Sequence, residues 1–466
     1  MLFNSWEYWL FFLIVIPLFY SSPLRIGRYV LLAASYFFYM WWNPKFILLI
    51  LTSTLIDYLC GMALPRLTRN RRLVLVVSLI TNLGLLGFFK YYNFFSSSIA
   101  EVLGISTDSL FLQIVLPVGI SFYTFQSMSY TIDIYRGELE PVRSFVDFAL
   151  FVAFFPQLVA GPIVRAREFL PQLKGWHSPC GRDVQEGIML VLLGLVKKMV
   201  LADNFARISD AYFGPVGGSP GPWAAWTATL AFAMQIFFDF SGYTDIARGS
   251  ALLLGFRFPT NFERPYLASS ITEFWRRWHI SLSTWLRDYL YIPLGGNRKG
   301  RLQTYRNLMV TMLLGGLWHG ASWNFVAWGG YHGGLLAAHR VIGRRSRSEP
   351  VTWFTRALRP GAVLLNFGLV LIGWVFFRAR SFEDSWAVLR NLFSLHVVSG
   401  SLMGWGLWIA LIGSMALAVV EEKWGTFQRL VDAPAAIRVL YYVGILTVLE
   451  LFSFTDLRIP FVYFQL

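Results

Sequence analysis

The residue best suited to chemistry in this chain is a histidine inside an apolar stretch. His319 lies in Leu317-Trp318-His319-Gly320-Ala321, and the surrounding run is almost free of charge. A polar side chain at membrane depth costs free energy and usually has a functional reason to be there. A neutral imidazole also suits the work of a general base near neutral pH. We therefore predict that His319 is the reactive group of a membrane-embedded site.

Small and polar residues flank this histidine. Gly315, Gly316 and Gly320 remove side-chain bulk, which allows a substrate or another helix to approach closely. We expect Asn324 to orient a neighbouring group, whereas His332 either lines the same cavity, caps it or is structural. His339, next to Arg340, is expected to lie at the membrane interface, and His177 and His396 lie in loops without a predicted role. The scattered histidines predict no metal site, and no Gly-x-Ser-x-Gly elbow points to a nucleophilic serine.

A second candidate segment precedes the first in the chain. Its apolar residues recur at spacings of three and four, as on one face of an amphipathic helix: Trp275, Trp278, Leu282, Trp285 and Tyr289. We predict one helix over residues 273–289 at the membrane interface, with its arginines at the lipid headgroups. That interpretation does not account for His279, a polar residue in the middle of the segment.

Residues 291–301, which come next, form a glycine-rich basic turn. Backbone N–H groups and basic side chains in such a turn could hold a phosphate. The alternative is a loop whose charges serve only as a topology signal. The residues alone leave both interpretations open.

The composition of the chain is that of a polytopic membrane protein. Hydrophobic residues make up 56% and charged residues 14% of the 466 residues, with a mean hydropathy of +0.53. The apolar runs approach the ~20 residues that cross a bilayer, and their continuity favours helices over a barrel. We expect an all-α fold with about eleven transmembrane helices. Residues 145–164 are predicted to be broken or re-entrant, and residues 1–466 to form a single domain.

The net charge of +14 comes from basic clusters between the apolar runs. Such clusters are typical of cytoplasmic loops in membrane proteins, and in a chain this apolar we prefer that interpretation to nucleic-acid binding. The basic loop at residues 66–72 then lies in the cytoplasm and puts the N-terminus outside. The first apolar run is expected to stay attached as a membrane helix, because a basic n-region and a cleavage site are missing. Cys60 and Cys180 imply no disulfide framework.

Together these segments resemble the membrane-bound O-acyltransferase (MBOAT) family, in particular its bacterial polysaccharide branch. The motifs that carry the resemblance are Phe274-Trp275-Arg276-Arg277-Trp278-His279-Ile280-Ser281-Leu282-Ser283, Tyr291-Ile292-Pro293-Leu294-Gly295-Gly296-Asn297-Arg298 and Leu317-Trp318-His319-Gly320-Ala321. Further matching stretches are residues 34–39, 117–126, 155–163, 239–245 and 460–465. The resemblance therefore runs the length of the chain.

The resemblance implies a fold, a reaction and a site. The fold is a ring of helices, with re-entrant and amphipathic helices, around a central tunnel. His319 would be the essential histidine and His279 the second polar position. The reaction would take acetyl from cytoplasmic acetyl-CoA, with no permanently bound cofactor, and pass it across the inner membrane. A periplasmic or membrane-anchored SGNH-type partner would then esterify an exported polysaccharide such as alginate or cellulose.

Two further sets of residues follow from that mechanism. Basic residues near the cytoplasm are expected to attract the phosphates of CoA: Arg276, Arg277, Arg298, Lys299 and Arg301. Residues expected to line the substrate tunnel are Asn324, Trp318, Trp275 and Trp278.

Two other classes of function stay open from the sequence. One is an acyltransferase of the same family that moves D-alanyl or another acyl group to a lipid, a peptide or a teichoic acid. The other is a transporter in which His319 only lines a pore. Many transporters carry an inverted repeat in their hydropathy, and the sequence shows none.

Overall fold

The structure is a computed structural model of the whole chain. It describes residues 1–106, 110–159, 161–214, 221–343, 353–395, 403–453 and 461–462. His396 and most of the motif at residues 460–465 lie outside the described residues, as does much of the loop after Gly214.

The described residues form α-helices joined by short turns, and they contain no β-strand. The helices are α1 (Trp6–Tyr20), α2 (Leu24–Met40), α3 (Ile47–Ala63), α4 (Arg71–Leu86), α5 (Tyr92–Leu103), α6 (Ile120–Arg136), α7 (Phe145–Ala153), α8 (Phe155–Leu158), α9 (Ala166–Lys174), α10 (Gly181–Leu195), α11 (Asp203–Phe213), α12 (Pro222–Leu253), α13 (Ile271–Arg277), α14 (Ile280–Leu286), α15 (Arg301–His319), α16 (Trp323–Gly343), α17 (Trp353–Arg378), α18 (Phe382–Leu392), α19 (Trp405–Trp424), α20 (Thr426–Val431) and α21 (Ala435–Phe452). Three π-helical stretches interrupt them, at Gly87–Tyr91, Val196–Ala202 and Arg287–Tyr291.

The chain divides into two compact units. The first comprises Met1–Val191 with Ile246–Pro259, and the second comprises Leu192–Asp245 with Thr260–Leu466. Every candidate site residue predicted from the sequence belongs to the second unit. The single domain over residues 1–466 stays a prediction.

Several helices are long and apolar enough to cross a membrane. Among the described residues they are Pro44–Ala63, Thr68–Leu103, Leu358–Arg378, Trp405–Trp424 and Ala435–Phe452, with Trp6–Tyr20 as a shorter apolar helix. The helices α19 and α21 bury none of their residues within the protein. Exposed apolar helices of this length need lipid around them. The all-α, multi-pass membrane fold is thereby confirmed, while the count of eleven spans, the ring and the tunnel stay predictions.

The interruption predicted within residues 145–164 is present. Helix α7 ends at Ala153, Phe154 is non-helical with ψ near 114°, and α8 is a short helix that begins at Phe155. Phe154, Phe155 and Leu158 are completely buried. Irregular backbone in an apolar segment is tolerated where protein covers it, and that condition is met here.

The single amphipathic helix predicted over residues 273–289 is wrong. The segment is broken into α13 and α14, and a π-helical turn follows. Trp278 is extended and His279 adopts a left-handed conformation with φ +40° and ψ +57°. A left-handed residue other than glycine is uncommon. The spacing of three and four therefore runs across two helices rather than along one.

Candidate functional site

His319 is the last residue of α15, and a close pairing of α15 with α16 positions it. A Cβ atom on Gly316 would lie 2.1 Å from the carbonyl oxygen of Phe325, and one on Gly329 would lie 2.3 Å from that of Met312. Both distances are far shorter than a van der Waals contact, so the backbones meet only because these residues are glycines. The predicted close approach at Gly316 is thus an approach by another helix.

Aromatic rings surround the imidazole of His319, which is 3% exposed. The ring centroids of Trp318 and Trp328 each lie 5.0 Å away, at interplanar angles of 78° and 85°. The ring of Phe377, on α17, lies 5.2 Å away at 70°. These edge-to-face contacts fix the plane of the imidazole, because each ring restricts its rotation in a different direction.

His279 is completely buried at the break between α13 and α14, where Asn261 holds it. The Asn261 carbonyl accepts a hydrogen bond from the N–H of Ile280 at 2.9 Å. Its side-chain oxygen accepts the N–H of Ser281 at 3.1 Å and the Ser281 hydroxyl at 2.9 Å. Asn261 therefore supplies the N-terminal cap of α14 from a distant point in the chain.

The same oxygen of Asn261 also defines the tautomer of His279. It lies 3.3 Å from Nδ1 of the imidazole. Because this oxygen already accepts from a backbone N–H, Nδ1 is assigned as the donor and Nε2 as the acceptor nitrogen. Burial lowers the pKa of His279 to about 3, so the ring is neutral at physiological pH. A neutral imidazole with its acceptor nitrogen at Nε2 can bind a hydroxyl or a thiol.

Trp318 contacts both candidate histidines. Its ring centroid lies 6.0 Å from that of His279 and 5.0 Å from that of His319. The two histidines predicted from separate motifs are thus both in contact with one indole. Trp318 itself is buried.

A buried ion cluster lies next to the part of α12 that packs against His279. Lys198 donates to Asp203 at 2.8 Å and forms an ion pair with Asp239 at 2.9 Å, and all three side chains are less than 5% exposed. Asp239 directly precedes Phe240, whose ring lies 4.6 Å from that of His279 at 86°. The cluster is therefore coupled to the position of His279 through one residue of α12.

The second unit contains a cavity of about 1030 Å³. Residues of α13, α14, α15 and α16 supply most of its wall. Its polar and charged lining residues are Thr272, Arg276, Ser283, Thr284, Arg287, Tyr291, Asn297, Thr311, His339 and Arg340, and its apolar ones are Trp275, Ile280, Leu286, Leu308, Met312, Leu336 and Ile342. Three arginines on one mixed polar and apolar wall suit a ligand with an anionic end and an apolar or neutral arm.

Of the five basic residues predicted to bind CoA phosphates, Arg276 lines this cavity. Arg277 is instead paired with Glu273 at 2.7 Å and with Glu422 at 3.0 Å. Burial raises the pKa of Glu273, but hydrogen bonds from Ser269 and the pairing with Arg277 outweigh it and hold that pKa below its usual value. The remaining three residues, Arg298, Lys299 and Arg301, are exposed and lie outside the cavity lining.

The predicted tunnel residues separate into two groups. Trp275 lines the cavity. Trp278 is buried in a cluster of aromatic rings, 4.9 Å from Trp374, and Trp318 contacts both candidate histidines. Asn324 is buried and its amide donates to the carbonyl of Ala379 at 2.9 Å, which fixes the start of α16. None of these last three residues lines the cavity.

An aromatic layer separates the cavity from His319. The Trp275 ring contacts that of Trp328 at 5.6 Å, and Trp328 in turn contacts His319. A molecule that passes from the cavity to His319 along this line would displace these rings. Trp328, which sequence reasoning would treat as packing alone, therefore belongs to the site.

Other residues of the site were also missed by the sequence. Asn261 lies eighteen residues before His279 in the chain and carries no signal of its own. Arg340 follows a long apolar run and looks like a topology signal, yet it lines the cavity. Asp239 and Phe240 belong to a motif that carries the family resemblance, and this placement was the one available hint of their role.

Comparisons with known proteins agree with an all-α membrane fold. The sequence profile of MBOAT, the membrane-bound O-acyltransferase family, matches residues 138–382. A probable alginate O-acetylase of Azotobacter vinelandii is 45% identical over 391 residues, which are 83% of this chain and 76% of that protein. A peptidoglycan O-acetyltransferase of Helicobacter pylori is 39% identical over 408 residues, 82% of this chain and 76% of that protein. A teichoic acid D-alanyltransferase of Bacillus subtilis is 27% identical over 280 residues, 57% of this chain and 69% of that protein.

The chain therefore belongs to the membrane-bound O-acyltransferase family. It is a multi-pass membrane acyltransferase, and the resemblance found in its sequence motifs is confirmed.

Proposed function

We propose that this chain is an O-acetyltransferase that takes acetyl from cytoplasmic acetyl-CoA and passes it across the membrane for O-acetylation of an exported polysaccharide such as alginate or cellulose. The observation that carries the proposal is the 45% identity, over most of both chains, to a probable alginate O-acetylase. The lower identity to a D-alanyltransferase, over a shorter stretch, makes D-alanyl the second choice of acyl group.

The cavity beside α13 and α16 is the proposed site for acetyl-CoA. Arg276, Arg287 and Arg340 would neutralise its phosphates, because guanidinium groups bind phosphate oxygens through paired hydrogen bonds. Arg287 is engaged by Asp288 at 2.7 Å and shares its charge with that carboxylate. Arg298, Lys299 and Arg301 would act from outside the cavity by long-range attraction. The acetyl-bearing arm would lie against Trp275.

The proposed chemistry moves an acetyl group from sulfur to oxygen. The acceptor hydroxyl attacks the thioester carbonyl, so that a C–O bond forms and the C–S bond breaks. His319 takes the hydroxyl proton and returns it to the departing thiolate, as a general base and then a general acid. In the alternative, His319 first carries the acetyl group itself. Nε2 of His279 would accept a hydrogen bond from the hydroxyl that receives the acetyl group or from the released thiol.

The proposal includes a location and partners. We place the protein in the bacterial inner membrane with its N-terminus outside, as the basic loop at residues 66–72 indicates. The acceptor of the membrane step would be either the polysaccharide or an SGNH-type partner, periplasmic or anchored to the membrane, that completes the esterification. A short acyl group fits a site whose approach to His319 is closed by indole rings.

A pair of variants tests the proposal. His319→Ala is expected to abolish transfer of labelled acetyl from acetyl-CoA by purified protein, and to abolish acetyl ester on the secreted polymer. The control is His177→Ala, which removes an exposed loop histidine and leaves both readouts unchanged. Normal acetylation by a folded His319→Ala protein would refute the role of this histidine. Wild-type protein that transfers D-alanyl but not acetyl would refute the acyl group, and wild-type protein that moves a solute without any acyl transfer would support a transporter.

A further inference from the structure

His332 is a fully buried histidine that the mechanism above leaves without a role. Its side chain is 0% exposed, and neither ring nitrogen has a hydrogen-bond partner within the part of the chain that the structure describes. Buried polar atoms are nearly always paired, and an exception calls for a physical explanation. A chain that needed only packing at this position would be served as well by an apolar ring.

The position of His332 relates it to both parts of the site. Its ring lies 5.3 Å from that of Trp275, which forms part of the cavity wall, and 4.8 Å from that of Trp328. Trp328 also contacts His319. His332 therefore lies immediately behind the wall that separates the cavity from the candidate reactive histidine.

The neighbouring helix leaves space for the imidazole. A Cβ atom on Gly373, in α17, would lie 2.7 Å from Nε2 of His332. A side chain at that position would have to displace the ring. Because Gly373 has no side chain, the His332 ring can lie beside Trp275 and Trp328.

We propose that His332 binds the pantetheine arm of the acyl donor through a hydrogen bond to one of its amide groups. The proposal rests on the proposed function, and it requires the Trp275 ring to turn aside when the donor enters. A neutral imidazole offers one donor and one acceptor nitrogen. A secondary amide offers the complementary C=O and N–H, whereas a phosphate would find no counter-charge among the aromatic rings here. His332 would thus bind the middle of the donor, between the arginines at its nucleotide end and His319 at its acetyl end.

The decisive variant is His332→Phe. Phenylalanine fills the same aromatic surroundings without unpaired nitrogens, so the variant should fold and melt at or above the wild-type temperature. Its Kd for acetyl-CoA, measured by calorimetry on purified protein, is expected to rise about tenfold. Its Kd for acetyl-pantetheine should rise by the same factor, because the contact is with the arm and not with the nucleotide.

Two further variants complete the test. Tyr331→Phe changes the neighbour of His332 on α16 and removes the hydrogen bond from the Tyr331 hydroxyl to the carbonyl of Leu369 on α17. It should lower the melting temperature without changing either Kd. Gly373→Ala keeps the imidazole but displaces it, and it should raise both values of Kd in the same direction as His332→Phe. Gly373→Ala also decides the matter if His332→Phe does not fold.

The outcomes separate this proposal from the function on which it rests. A folded His332→Phe or Gly373→Ala protein with wild-type Kd for both ligands would overturn the role of His332. Wild-type protein with no measurable affinity for acetyl-CoA or acetyl-pantetheine would instead refute the proposed donor. A Kd that rises for acetyl-CoA alone would overturn the amide contact, because it would place His332 at the nucleotide end.

Discussion

Replacing Lys198 with methionine is expected to destabilise the second unit strongly. The ammonium group of Lys198 lies 2.8 Å from Asp203 and 2.9 Å from Asp239, and the three side chains are 1%, 4% and 2% exposed. Methionine keeps most of the volume of lysine but leaves two carboxylates buried without a cation. Removing one member of such a buried group lowers the free energy of unfolding by about 3–5 kcal/mol. That loss corresponds to a fall in melting temperature on the order of 10 °C.

The neighbouring lysine provides a matched control. Lys197 pairs with Asp245 at 2.6 Å, but its side chain is 21% exposed. Its replacement by methionine should therefore cost only about 1 kcal/mol. The assay is thermal unfolding of each purified variant in the same detergent, followed by residual acetyl transfer at a temperature where both are folded. Lys198→Met should also lose transfer, because Asp239 precedes the Phe240 ring that packs on His279.

A second change distinguishes charge from packing. Asn at position 239 can still accept the N–H of Val462, which Asp239 accepts at 2.7 Å. The double variant Lys198→Met, Asp239→Asn should therefore be less destabilised than the sum of its two single variants, by more than 1 kcal/mol. A Lys198→Met protein that melts within a degree of Lys197→Met would refute the reasoning, since the fully buried cation would then contribute no more than the partly exposed one.

Three further predictions concern the site itself. Gly316→Ala should prevent accumulation of folded protein, because its Cβ would lie 2.1 Å from a carbonyl oxygen of α16. The control is Gly334→Ala on α16, whose Cβ would have nothing within 4 Å and which should raise the free energy of unfolding by about 0.5–1 kcal/mol. Equal yields and melting temperatures of the two variants would contradict this. Asn261→Ala should lower the free energy of unfolding by about 1–3 kcal/mol, because it removes the acceptor of the Ser281 N–H. It should also lose most of the transfer activity, because His279 loses the side chain that holds it. Wild-type activity would show that Asn261 does not position the imidazole. Arg340→Ala should raise the KM for acetyl-CoA about tenfold and leave that for acetyl-pantetheine unchanged. The control is Arg438, a partly buried arginine on α21 that does not line the cavity. An equal rise for both donors would place Arg340 away from the phosphates.

The membrane class and the two candidate histidines could be predicted from the sequence because each leaves a local signal. Apolar runs of bilayer length are a property of neighbouring residues, and so is a histidine inside such a run. The spacing of three and four around His279 is equally local, yet it led to a wrong helix. Periodicity describes which faces are apolar, and α13 and α14 both keep an apolar face. The break comes from a left-handed residue stabilised by Asn261, a contact that no local pattern records.

The cavity lining was the least predictable part of the site. Arg277 and Arg276 are adjacent in the sequence and chemically identical, but Arg277 is paired with two glutamates while Arg276 faces the cavity. Charge alone cannot separate a residue that binds a ligand from one that joins two helices. Only the packing of α13 against its neighbours decides which way each side chain points. A basic stretch in the sequence therefore does not tell which of its individual residues face a ligand.

The buried polar residues of the second unit differ in how their polar atoms are satisfied, and this difference sorts their roles. Lys198 has two carboxylates and His279 has Asn261, so both are held in one position by the fold. A residue satisfied in this way can orient its neighbours but cannot bind a ligand with the same atoms. His332 has no such partner among the described residues and lies one ring behind the cavity wall. Because an unpaired buried polar atom costs free energy, a substrate amide that pairs with the ring nitrogens of His332 would recover that cost.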